Sequence, residues 1–156
     1  HKPHEYVHKP ITYLSLIADG LHNFLDGVAI AIGFLAGTEV GIAVTLAVIF
    51  HEIPQEISDF SILIYGGFSR LKALAFNFLS ALTAFLGAFL AYFFSTAIGG
   101  SWTAFLLAFS GGGFIYMATV NLIPELYKEE NIKRSVAQLG ALLFGIVVIL
   151  AVTKLV

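Results

Sequence analysis

The sequence predicts an all-α membrane protein, a polytopic helix bundle in which five helices of this chain cross the bilayer. Three observations carry that prediction. Of the 156 residues, 58% are hydrophobic and only 12% charged, with a mean hydropathy of +0.91; a soluble domain carries roughly a quarter charged residues, and a soluble fold of this length has too little interior for so much apolar surface. The apolar residues gather into stretches of roughly 20 or more, the length a helix needs to cross a hydrocarbon core of about 30 Å. The basic residues, finally, sort to one side once five spans are drawn. The same composition excludes disorder, which needs low hydrophobicity and high charge. With no cysteine, disulfides and thiolate metal sites are absent. A net charge of −2 argues against a nucleic-acid partner, which would need a basic face.

The first span is expected over about residues 11–35; it is too long and too polar at its centre for a signal peptide. After the connection AGTEVG a second runs over about 42–65, after GGFSRLK a third over 73–97, after IGGS a fourth over 102–124, and after LYKEENIKRS a fifth over 136–156. Connections this short make successive helices antiparallel. No boundary divides the spans, so residues 11–156 read as one transmembrane domain. Residues 1–10, carrying His1, His4 and His8, read as the end of a histidine-bearing cytoplasmic loop. A chain that starts at His1 rather than Met is expected to be a piece of a longer protein.

Lys2, Lys9, Arg70, Lys72, Lys128, Lys133 and Arg134 fall on one side of this arrangement and only Lys154 on the other. The positive-inside rule makes the common side cytoplasmic, with the chain start inside and the C-terminus outside, in what is expected to be the plasma (inner) membrane. An even number of spans would lose the partition. Spans three and five carry small residues at close spacing (Ala84, Gly87, Ala88 and Ala91; Ala137, Ala141 and Gly145), which let helices approach closely in lipid. Asn77, Ser80 and Thr83 form a mild polar stripe on span three, of a kind that bonds neighbouring helices.

Five of the ten acidic residues lie in the first two spans. In ADGLHNFLDG, residues Asp19, His22, Asn23 and Asp26 follow the helical repeat and share a face. In HEIPQEISD, residues His51, Glu52, Gln55, Glu56 and Asp59 share another. An ionised carboxylate at mid-bilayer costs about 2.5–3.5 kcal/mol. No lysine or arginine lies in any span core, and two histidines pair at most two carboxylates. Cations or a wet proton path must compensate the rest. Imidazole with carboxylate suits Zn²⁺, Fe²⁺ or Mn²⁺. His22 with Asp26, and His51 with Gln55, can each chelate from one helix. Asn23 and Glu52, displaced by about 100° on their helices, could form a second, oxygen-rich site that shares Asp26. Pro54 should kink the second span, and Gly20, Gly27 and Gly33 should loosen the first; broken helices around mid-depth polar residues mark transport sites. Asp19 and Asp59, near the ends of the runs, serve equally well as hydrated caps.

The motifs HNFLDG and HEIPQE, in this order on two spans, resemble those of the ZIP (Zrt/Irt-like) family of divalent metal transporters. EISDFSILIYGGFSRLKAL also looks like that family's fifth helix and following loop. The resemblance implies eight helices with both termini outside, of which this chain would hold the fourth to eighth, and a two-metal centre between its first two helices. It implies His22, Asp26, His51 and the Gln55 position at one site, and Asn23, Asp26 and Glu52 at the other, with Glu56 able to swing in. Gln55 stands where many members carry a second histidine and is the weaker, neutral ligand. Zn²⁺ would be the transported substrate, with Fe²⁺, Mn²⁺ and Cd²⁺ as further candidates, moved towards the cytoplasm by helices sliding against a scaffold that would include span three. The expected partners are the metal ion, the bilayer, the three preceding helices and a second copy in a homodimer. Two rivals stand beside this. An intramembrane zinc metalloprotease would use HEIPQ with Glu52 as base, although it lacks the final histidine of H-E-x-x-H. A cation channel subunit would be lined by the same carboxylates.

Overall fold

A computed structural model describes residues 10–98, 100–117, 119–120, 127 and 131–155. The histidine-bearing segment over residues 1–9 and the stretch from 121 to 126 that would end the fourth span lie outside the described residues. Within them the chain is helical throughout: α1 (Pro10–Ala36), α2 (Thr38–Tyr65), α3 (Arg70–Ala81), α4 (Thr83–Ile98), α5 (Gly100–Met117) and α6 (Ile132–Leu155). Four continuous stretches are long and apolar enough to cross a membrane, over Thr12–Ala36, Thr38–Tyr65, Arg70–Ser95 and Ile132–Ala151. The third of these joins α3 and α4 end to end. The predicted class, an all-α membrane helix bundle, is the observed one.

The surface explains why the fold needs lipid. Large apolar side chains such as Leu14, Ile57, Phe85, Phe89 and Phe144 are exposed, whereas Thr12, Asp19, Asn23, Asp26, Asn77 and Ser80 are buried. Water would penalise that exterior, and hydrocarbon would penalise the polar groups if they faced outward. Two small apolar clusters pin the helices. Val28, Ile32 and Ala91 pack with Phe24, Leu106 and Leu107, and Leu63, Phe68 and Ala73 pack with Leu16 and Phe60.

α1 is the hub, with its most extensive contact on α4, then on α2, and smaller ones on α5 and α3; α6 touches α2. A single residue, Gly37, separates α1 from α2, with Gly37 N–H donating to the Gly33 carbonyl at 3.1 Å and Gly41 N–H to the Gly37 carbonyl at 2.9 Å. This hairpin fixes an antiparallel register. Gly33 faces Gly41 and Val44, His22 meets His51, and Ser15 reaches Asp59. At the far end Gly66 presses so closely on Thr12 that a Cβ there would lie 2.0 Å from the threonine hydroxyl. Gly67 follows with φ +94°, a left-handed conformation that glycine adopts without a steric penalty.

The glycines of α1 do not loosen it. A Cβ on Gly27 would lie 1.8 Å from the Ala84 carbonyl oxygen, and one on Gly87 would lie 2.0 Å from the Phe24 carbonyl oxygen. The two helices meet backbone to backbone, each contributing the glycine that the other requires. α2 likewise stays helical through Pro54 from Thr38 to Tyr65, so no broken helix marks the polar region. The break falls instead between α3 and α4, at Leu82. There the Thr83 hydroxyl lies 2.6 Å from the Gly20 carbonyl and 2.7 Å from the Ser80 carbonyl. The small residues of α6 behave differently: nothing lies within 4 Å of a Cβ built on Gly140 or Gly145.

Candidate metal centre

The α1–α2 hairpin carries its chemistry midway along both helices. The register that pairs Gly33 with Gly41 brings the His22–Asp26 face of α1 against the His51–Glu52 turn of α2. One ligand atom from each of His22, Asp26, His51 and Glu52 lies within 4.8 Å of all the others. His51 Nε2 is 2.8 Å from Asp26 Oδ2 and 3.4 Å from Glu52 Oε1. His22 Nε2 is 3.3 Å from Glu52 Oε1 and 3.6 Å from Asp26 Oδ2. The two Nε2 atoms are themselves 3.3 Å apart.

The tautomer follows from the backbone. His51 Nδ1 lies 2.9 Å from the carbonyl of Ala47, one turn earlier, and an N–H there donates to it. A neutral imidazole that spends its proton on a backbone carbonyl presents a lone pair at Nε2. That lone pair faces a second imidazole nitrogen and two carboxylate oxygens, and Glu52 Oε1 is buried without a hydrogen bond of good geometry. Lone pairs converging at this range repel unless a cation or a shared proton sits among them. Two imidazoles and two carboxylates from two helices make the donor set of a first-row divalent ion.

Of the seven residues named from the sequence, four form this group. The other three lie beside it. Asn23 is buried and turned along α1, its Nδ2 donating to the Asp19 carbonyl at 3.2 Å and to Asp19 Oδ1 at 2.9 Å. Gln55 is half-buried one turn beyond His51. Glu56 is turned to α3, where Asn77 Nδ2 donates both to its carboxylate and, at 3.0 Å, to its backbone carbonyl. Span three does not stand apart from the site as a scaffold, since it holds Glu56 through Asn77 and seats α1 through Gly87. Between α1 and α5 a cavity of about 650 Å³ reaches His22 and Asp26, bounded by Leu21, Leu25, Phe109 and Tyr116. Phe109 and Tyr116 are site-flanking residues for which the sequence offered no signal, because an apolar α5 face looks the same whether it meets lipid or a cavity.

The family described as ZIP zinc transporter matches residues 1–153. The chain is 43% identical over 144 residues to zinc transporter zipt-7.2 of Caenorhabditis elegans, which covers 88% of this chain and 30% of that protein. It is 41% identical over 151 residues to the zinc transporter ZIP13 homolog of Drosophila melanogaster, covering 92% of this chain and 41% of the relative. With human zinc transporter SLC39A7 it shares 38% identity over 149 residues, 92% of this chain and 32% of the relative. The chain thus spans well under half the length of these relatives. No solved structure matches it. The relatives are named as transporters, not as enzymes or channels, and neither rival reading gains support. Glu52, which a protease would need as a free base, is here grouped with His22, Asp26 and His51. The motif pair, the inward-turned polar face of the first two helices and the match over nearly the whole chain agree: the chain belongs to the ZIP zinc transporter family.

Proposed function

We propose that the full protein carries Zn²⁺ across the plasma membrane towards the cytoplasm, and that His22, Asp26, His51 and Glu52 bind the ion in transit. The observation that carries this reading is the convergence of four ligand atoms within 4.8 Å on two adjacent helices. The names of the relatives supply zinc as the substrate. The group contains no thiolate and only two imidazoles, so it is a borderline rather than a soft site, and Fe²⁺, Mn²⁺ and Cd²⁺ are the competitors to test. In the two-ion reading, Gln55 would join His22, Asp26 and His51 at one ion, and Asn23 would join Asp26 and Glu52 at the other. The positive-inside distribution supports entry from the side of the α1–α2 turn and release at the side where α1 begins.

Zn²⁺ uptake into vesicles carrying the full-length protein tests this, with His51→Ala and Asp26→Ala beside the parent. Each variant removes a first-sphere ligand and is expected to lower saturable uptake by at least about tenfold to a hundredfold. Unchanged uptake in both would remove the cluster from the transport path.

A further inference from the structure

The turn that joins α2 to α3 presents two cations that nothing nearby in the chain balances. Arg70 and Lys72 are the only charged residues between Asp59 and Glu125. Both are exposed, and among the described residues neither makes an ion pair. The connection before α6 differs, because its Lys128, Lys133 and Arg134 stand beside Glu125, Glu129 and Glu130. The turn itself is firmly seated. Leu63, Phe68 and Ala73 are buried against Leu16 and Phe60, Phe68 N–H donates to the Leu63 carbonyl at 3.1 Å, and Gly66 rests on Thr12.

An apolar track leads away from these cations. At about 100° per residue, Leu71, Leu74 and Phe78 fall within one arc of α3, with Arg70 on one side of it and Lys72 on the other. Leu71 is 78% exposed, Leu74 55% and Phe78 65%, while Ala73, Asn77 and Ser80 lie on the buried face. Tyr65, at the end of α2, is exposed at the same level, where tyrosines gather at a membrane boundary. Cations at that boundary with an apolar track below them match an anionic headgroup with a hydrocarbon chain below it. We propose that this surface binds one anionic phospholipid of the cytoplasmic leaflet, its phosphate held between Arg70 and Lys72 and an acyl chain lying along Leu71, Leu74 and Phe78. A guanidinium fork matches phosphate oxygens in pairs, and an ammonium adds a point charge. The anionic lipids of that leaflet supply the complementary charge. A soluble anion would meet the cations and leave the track bare. The site lies apart from the four grouped ligands and is independent of the ion they carry.

Native mass spectrometry of the full-length protein, titrated with phosphatidylserine or phosphatidylcholine, reads the affinity of the first lipid bound. The parent should bind phosphatidylserine at least about fivefold more tightly than phosphatidylcholine. Arg70→Gln and Lys72→Gln should each weaken phosphatidylserine by about fivefold and leave phosphatidylcholine unchanged. Lys72→Arg keeps the charge and should keep the binding, and Lys133→Gln, in the connection of mixed charge, should leave it unchanged. Zn²⁺ binding at the histidines, retained in every variant, reports that they are folded. Glycerophosphoserine, the same headgroup without its chains, should displace the lipid only at a concentration at least about a hundredfold higher. A parent without preference for phosphatidylserine, the result expected where another helix of the full-length protein covers this face, would overturn the proposal. So would glutamine variants that bind like the parent, a Lys72→Arg that loses as much as Lys72→Gln, equal weakening by Lys133→Gln, or displacement by glycerophosphoserine at concentrations comparable with the lipid's own.

Discussion

At the scale of single residues, the centre depends on what each side chain does with its second polar atom. His51 turns Nδ1 to the Ala47 carbonyl, and so its Nε2 is available to Asp26 and His22. Asn23 follows the same logic in another direction, since its amide is engaged by Asp19. Thr83 is a smaller instance: its hydroxyl bridges the α3–α4 junction and the Gly20 carbonyl. Thr83→Val keeps the side-chain volume and removes the bond to α1. It should lower stability by about 0.5–1.5 kcal/mol, seen as a lower Tm of the purified protein, while Zn²⁺ binding at the histidines persists. His22, Asp26 and His51 were legible in the sequence because helical spacing alone puts them on facing sides, whereas spacing paired His51 with Gln55 and set Glu52 apart, and the structure groups Glu52 with them instead. The partners of Asn23, Glu56 and Asn77 were not, because spacing assigns a residue to a face and not to one of two neighbours reachable from it.

At the scale of elements, the tight α1–α4 crossing decides how the centre is held. Gly27 and Gly87 each occupy the place where the other helix's backbone passes. Neither helix can take a methyl group there without moving its neighbour, because the obstructing atoms are carbonyl oxygens and not the ends of flexible side chains. Gly27→Ala should therefore part the helices and cost about 1–3 kcal/mol. It should also reduce Zn²⁺ uptake, since Asp26 is the adjacent residue; a variant with parental Tm and uptake would show that the crossing is looser than drawn. The sequence did reveal small residues on this face of span three. It also suggested that the α1 glycines loosen their helix, which was the wrong consequence: a glycine weakens an isolated helix through backbone entropy, but in lipid it lets two helices come into contact, and which effect wins depends on whether a partner is present.

At the scale of the whole molecule, the distribution of charge sets orientation and the distribution of apolar surface sets the solvent. The proposed transport direction requires the α1–α2 turn to face outside and the α2–α3 turn to face the cytoplasm. Thr38 and Ser69 are exposed at these two turns, and this chain has no cysteine of its own. In a background otherwise free of cysteine, Thr38→Cys should react with a membrane-impermeant thiol reagent on intact cells, and Ser69→Cys only after permeabilisation; the reverse pattern would invert the orientation. The sequence by itself determined the helical class, the membrane setting, the hairpin of two polar-faced helices and the short list of seven polar residues from which the grouped four are drawn. Each of these follows from periodicity, composition or length, which are local properties of the chain. The tertiary structure alone decided that α4 seats directly on α1, that Glu56 is turned to Asn77, and that Glu52 rather than Gln55 joins His22, Asp26 and His51. Those outcomes depend on which helices become neighbours and at what distance, and contacts between residues far apart in the chain leave no periodic trace in its sequence.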